Sequence, residues 1–383
     1  MRYTIPGAKQ GGNRWDATRT DGFRRMGYER SPADPSMYVR NKGKQDWVAV
    51  VTIVDDYIIT GGTDEAVSKA KEEISEVWEM VDQGNVEWCL NLAITRDRPG
   101  RRLKIDQKQY TQEVLHRFNM ANCKPAGTPS LSGVTLTPMG PGEKQSKETA
   151  QLPFRQLTGA LLYLRLTRPD ILVPTTIGAK RSKDWTRQAW KWQKQSCRYL
   201  KGTPNWGLEH KASRKWKHGE PVEITTYVDA DYATDPEVRA SRTGYFIFVN
   251  DCVVAYGSRL QKGAPSQATC EAEYRALATC VKEAVWVMMI VQSLGIGVKL
   301  SIKVWEDNQS AIKLTTNHGA AKMSKHIAVR YHYIRDLQET GVIDVDYIST
   351  TDQRADMLTK NLGRVQLERL WVMVMSDSVY PPG

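Results

Sequence analysis

Tyr227-Val228-Asp229-Ala230-Asp231-Tyr232-Ala233 is the stretch from which the rest of the chain is read. Thr225 and Thr226 lead into it, and this β-prone run predicts a strand whose alternation puts Asp229 and Asp231 on one side. Three more acidic clusters lie downstream: Glu271-Ala272-Glu273-Tyr274, Glu306-Asp307-Asn308-Gln309-Ser310 and Ala355-Asp356-Met357-Leu358-Thr359-Lys360. Each alone has an ordinary explanation, such as an Asx turn at Asp307 or a solvated helix residue at Asp356. Four in order are read as one site. Asp231 is expected beside that site, and Glu306, by strand alternation, on the face opposite Asp307.

Length and composition bound the alternatives. With 383 residues the chain exceeds one typical domain, and 40% hydrophobic content supplies more than one core. A net charge of +11 favours a polyanionic partner. The six cysteines contain no Cys-x-x-Cys pair, which argues against a zinc site and against a secreted disulfide framework. The longest apolar run, residues 284–291, is too short to span a bilayer, and residues 1–14 lack a signal core. The expectation is therefore an intracellular protein, cytoplasmic or nuclear, with no membrane partner.

Further upstream, residues 47–54 and 57–60 predict a hairpin around Asp55-Asp56, closed by Gly61-Gly62. Residues 63–81 have helical spacing, 87–106 predict a strand pair turning at 98–101, and 108–118 predict a helix. Residues 130–149, rich in Gly, Pro, Ser and Thr, are the best linker. Helices are expected over 154–166 and 182–200. The second carries Trp185, Ala189, Trp192, Ser196 and Tyr199 on one stripe and Arg187, Lys191, Lys194, Arg198 and Lys201 on another. The basic stripe is a candidate nucleic-acid-binding face, with a solvated helix face as the equal alternative. Residues 211–221 form a second, basic linker.

The ordered carboxylates resemble the ribonuclease H domain of copia-type retrotransposon Pol polyproteins. Flanking text carries the same resemblance: Arg239-Ala240-Ser241-Arg242-Thr243-Gly244-Tyr245, Lys325-His326-Ile327, Arg330-Tyr331-His332 and Ala355-Asp356-Met357-Leu358-Thr359-Lys360. The resemblance implies that Asp229, Glu273, Asp307 and Asp356 form the catalytic tetrad and hold two Mg2+ or Mn2+ ions. Hard carboxylate oxygens suit that role, and two such ions activate water and neutralise the leaving oxygen in phosphodiester hydrolysis. Of the neighbouring glutamates, Glu273 matches the family position and Glu271 is expected to serve the helix N-terminus.

The segment from Val50 to Gly61 resembles the catalytic hairpin of copia-type reverse transcriptases, with Asp55 and Asp56 as the polymerase pair; Lys9-Gln10, Lys108-Gln109-Tyr110 and Cys123-Lys124-Pro125 extend the likeness. The earlier palm aspartate of that family has no counterpart here, so polymerisation by this chain alone is not expected, unless a partner chain supplies the missing fingers. The implied fold class is α/β: an α+β palm and thumb over 1–129, a linker and helical connection over 130–221, a ribonuclease H-like domain with a mixed central sheet and flanking helices over 222–363, and a C-terminal tail over 364–383. The implied partners are an RNA–DNA hybrid and other nucleic acid. Departures from the family text at Ile53, Asn91 and Ala328 leave a second reading, a catalytically silent nucleic-acid-binding relic.

Overall fold

A computed structural model describes residues 11–140, 142–211, 219–316 and 325–375, with the backbone alone for 325–331. The Lys9-Gln10 pair, most of the basic linker, and the side chains of Lys325, His326, Ile327, Ala328, Arg330 and Tyr331 lie outside the described residues. The chain clusters into two compact units, one of residues 1–86, 217–222 and 285–299 and one of residues 87–216, 223–284 and 300–383. The division thus falls inside the segment expected to be one polymerase piece.

In the first unit, strands Glu29–Arg30, Met37–Arg40, Val48–Ile53 and Asp56–Gly61 form an antiparallel sheet in sequence order. Alternation along Val48–Ile53 sends Val48 and Val50 to one face, where they meet Phe23 of helix Gly11–Arg25 and Ala70 and Ile74 of helix Asp64–Val77. Ala49 faces the other way, into a cluster with Met37, Val39, Ile290 and Leu294. The hairpin closes through Ile53 paired with Asp56, so Val54 and Asp55 form the turn, and Val54 takes a positive φ of 55°.

The second unit is built on a five-stranded sheet. Strand Ile224–Asp231 lies at its centre, antiparallel to Arg242–Val249, which pairs antiparallel with Cys252–Leu260; on its other side Ile302–Glu306 and Ile343–Tyr347 run parallel to it. In chain order the strands stand 3-2-1-4-5, the mixed central sheet that the resemblance implies. Helices Thr269–Ser293, Gln309–Thr316 and Lys325–Glu339 supply the crossovers. Parallel neighbours need such crossovers, and the central strand is buried along most of its length as a result. Helix Thr269–Ser293 is long and apolar enough to cross a membrane by length and composition alone. Half of its apolar window is buried, and Ala272, Ala276, Leu277, Cys280 and Val281 are fully buried, as in a core helix.

A second sheet in this unit contains strands Leu92–Asp97 and Arg102–Asp106, the expected pair, and adds Gly207–Lys211 beside Arg102–Asp106. One core joins Val114 and Leu115 of helix Lys108–Arg117, and Phe118 just after it, to Leu157, Leu161 and Leu164 of helix Phe154–Leu164 and to Phe246 and Phe248 of the five-stranded sheet. Two expectations need correction. The 130–149 linker is no free tether, since Leu136 is buried in a cluster with Phe154, Trp185 and Trp192. Nor is the segment after 363 a tail: helix Arg364–Val374 buries Leu367, Leu370, Trp371 and Val374 at helical spacing, and Trp371 stacks on Trp206 at 4.3 Å.

Candidate metal and nucleic-acid site

Asp229 and Asp307 stand at the carboxyl ends of two neighbouring parallel strands, just past the register pair Tyr227–Trp305. Glu273 reaches the same point from the second turn of helix Thr269–Ser293. One carboxylate oxygen from each of the three lies within 4.8 Å of the others. Asp229 and Glu273 are 2% and 4% exposed, so little water is available to dissipate their charge.

Burial is the main cause of the resulting shifts. It pushes the Glu273 carboxyl up to about 11, with Glu306, Asp229 and Asp307 adding repulsion. Asp229 and Asp231 are each pushed up to about 6, again chiefly by burial. Glu273 Oε2 has no hydrogen-bond partner, and neither has Glu306 Oε2. Two unpartnered buried carboxylate oxygens are costly unless a cation or proton meets them.

Asp356 arrives differently. It is 2% exposed on the short turn Arg354–Leu358, outside the three-carboxylate group, and Lys360 links it to them. The Lys360 Nζ donates to Asp356 Oδ1 at 2.6 Å and to Asp229 Oδ1 at 3.4 Å. Burial alone would push this ammonium down, but Asp229 and Asp356 hold it above its ordinary value. The Thr359 hydroxyl donates to Asp229 Oδ2, and Gln366 Nε2 donates to Asp356 Oδ2 at 3.3 Å. Gly244 makes this approach possible. It pairs with Asp229 across the sheet, and a Cβ there would stand 2.6 Å from Thr359 and 2.9 Å from Leu358. Gln353, fully buried, ties the turn to the sheet by donating to the Val228 carbonyl at 2.9 Å.

Thr359, Lys360, Gln353 and Gly244 have no role that the sequence alone assigns; the glycine in the strand beside Asp229 is the available signal. Glu306 is fully buried, as are Ile302 and Val304, while Lys303, Trp305 and Asp307 are half-buried, the alternation expected of a strand. The strand ends at Glu306, where the Asn308 amide donates to Glu306 Oε1 at 3.0 Å, and the Glu306 charge adds to the repulsion at Glu273. Glu271 lies at the helix N-terminus, where its Oε2 accepts from the Gln267 amide at 2.8 Å.

Elsewhere in this unit, Trp192, Ser196 and Tyr199 of helix Arg187–Gly202 are buried as expected, and Arg187, Lys191 and Lys201 are exposed. Lys194 is half-buried. Arg198 is drawn into the structure, its Nε donating to the Lys124 carbonyl at 2.9 Å. In the first unit, Asp55 and Asp56 are exposed, and among the described residues no group of three metal-type ligands includes either.

A family model described as reverse transcriptase (RNA-dependent DNA polymerase) matches residues 2–132. Over 371 residues the chain is 33% identical to the retrovirus-related Pol polyprotein from transposon TNT 1-94 of Nicotiana tabacum, covering 96% of this chain and 27% of that protein. It is 30% identical over 368 residues to the corresponding polyprotein from transposon RE2 of Arabidopsis thaliana, covering 96% and 24%. The chain thus spans about a quarter of the length of these relatives. Among solved structures, the N-terminal RNase H domain of rv2228c from Mycobacterium tuberculosis aligns at 15% identity with a TM-score of 0.27, covering 39% of this chain and 96% of that one. Alignment along nearly its whole length to two such polyproteins, together with the reverse transcriptase match at its front, means that the chain belongs to the Pol polyproteins of copia-type retrotransposons.

Proposed function

We propose that this chain is a metal-dependent ribonuclease H that cuts the RNA strand of an RNA–DNA hybrid, joined to a reverse-transcriptase-like segment. The observation that carries this reading is the convergence of Asp229, Glu273 and Asp307 within 4.8 Å at the carboxyl ends of adjacent strands. The donors fit a hard divalent cation: all are carboxylate oxygens, and the buried Glu273 Oε2 lacks a partner. Asp229, Glu273 and Asp307 would hold Mg2+ or Mn2+, with Asp356 as the fourth carboxylate. Two such ions, when bound, activate water and neutralise the leaving oxygen.

The chain's own residues orient and position. Thr359 fixes the Asp229 carboxylate, Asn308 holds the turn after Glu306, and Gln353 anchors the Asp356 turn to the sheet. Arg187, Lys191, Lys194 and Lys201 form a basic stripe that can follow a phosphate backbone, and a hybrid is recognised by its shape and 2′-hydroxyls rather than by base sequence. For Asp55 and Asp56 to polymerise, a further carboxylate must come from outside the described residues. Primer extension by this chain alone is therefore expected to be undetectable.

The test is cleavage of a labelled RNA–DNA hybrid with Mg2+ or Mn2+, with and without chelator. Cleavage that needs the metal and is lost in Asp307→Asn supports the reading. Persistent cleavage in that variant, or none in the parent, removes Asp307 from a metal site.

A further inference from the structure

The site has two unlike sides. Towards helix Thr269–Ser293, Glu273 presents a buried oxygen with no partner. Towards the turn Arg354–Leu358, the carboxylates are already engaged: Lys360 Nζ bridges Asp356 Oδ1 at 2.6 Å and Asp229 Oδ1 at 3.4 Å, and Thr359 takes Asp229 Oδ2. A compact ammonium between two carboxylates neutralises them as a bound cation would. Lysine places that charge on a flexible four-carbon stem, and this side chain is 35% exposed, so it can leave without unfolding the turn. Asp356 lies four residues before Lys360, so the lysine keeps one partner even when it gives up the other.

We infer that Lys360 is a tethered counter-cation standing in for the second divalent ion, so that the chain without nucleic acid binds one divalent cation, on the Glu273 side. A second ion enters only when Lys360 releases Asp229, and an anionic phosphate of a bound nucleic acid is the class of group that would draw the ammonium away. The inference rests on the metal-centre reading above. A merely structural ion pair would make a different prediction: its loss would lower stability and leave metal stoichiometry unchanged.

The experiment is Mn2+ binding without nucleic acid, measured by titration calorimetry and by the electron paramagnetic resonance signal of free Mn2+. Wild type, Lys360→Met and Lys360→Arg are compared, with folding checked by circular dichroism. One ion is expected on wild type and on Lys360→Arg. Lys360→Met should bind two, the first about tenfold tighter because a unit positive charge has gone from beside the site. Two ions on wild type, or Lys360→Met binding as wild type does, overturns the inference while leaving the metal centre standing. No Mn2+ bound by wild type overturns the metal centre itself, and the inference with it. Should Lys360→Met fail to fold, Lys360→Gln takes its place and is read in the same way: two ions uphold the inference and one overturns it.

Discussion

Two acidic groupings stand at the ends of apolar strands in this molecule, and they differ in what covers them. Asp55 and Asp56 sit at a hairpin end, exposed to water, with no third ligand among the described residues. Asp229, Glu273 and Asp307 lie where a sheet and a long helix meet, and the burial of Asp229 and Glu273 removes the solvent that would screen their repulsion. The same side-chain chemistry is an ordinary hydrated surface in one place and an energetic conflict in the other. Carboxylates become a cation site when the fold withholds water and hydrogen-bond partners, and the motif alone does not decide which case holds.

Neutralising members of each grouping sharpens the contrast. Glu273→Gln should lower hybrid cleavage by about 10²-fold or more at saturating Mg2+, whereas Glu271→Gln should keep most activity; the reverse ranking would move the site role to Glu271.

Metal-free stability should respond next most strongly. Glu273, Asp229 and Asp231 hold protons in the folded chain that the unfolded chain releases above pH ~4. Their folded state is therefore favoured at low pH. Stability is lost as pH rises, first through about 6 for the two aspartates and then on towards about 11 for Glu273. In chelator at pH 7 to 8, Glu273→Gln should be more stable than wild type by about 1–3 kcal/mol. Urea melts across this range check it, and a wild-type stability that climbs from pH 5 to 8 without metal would refute the conflict.

Glu271→Gln should cost about 1 kcal/mol, since it weakens the interaction with the exposed amides of the first helical turn. The smallest effect belongs to the exposed pair: Asp55→Asn with Asp56→Asn should change stability by no more than about 0.5 kcal/mol and leave hybrid cleavage untouched. A large loss of cleavage there would erase the distinction between the two groupings.

The central strand is legible in the sequence because β-branched residues precede Asp229 and strand alternation is a local rule. Choosing Glu273 over Glu271 needs only the angular separation of two helix positions and a family position, and the structure puts Glu273 among the carboxylates. Glu306 follows the alternation of its strand, but its repulsion of Glu273 depends on a packed helix that a rule about one strand does not describe. Lys360 cannot be assigned from its own neighbourhood: its place depends on Gly244, which lies in a distant strand and lets the turn approach the sheet. The helix Arg364–Val374 does leave a signal in Leu367, Leu370, Trp371 and Val374. Strand Gly207–Lys211 leaves almost none, since its five residues alternate weakly and its partner lies far upstream.

That strand bears on how the chain is made. Arg102–Asp106 acquires its second neighbour only after residue 211 has been synthesised, and Val114, Leu115 and Phe118 wait for cover from later helices. A nascent chain, or a fragment ending near residue 130, presents an open strand edge beside uncovered apolar side chains, the combination that templates association between copies. Such a fragment should precipitate on expression, whereas a chain translated through the downstream helices and strand should not.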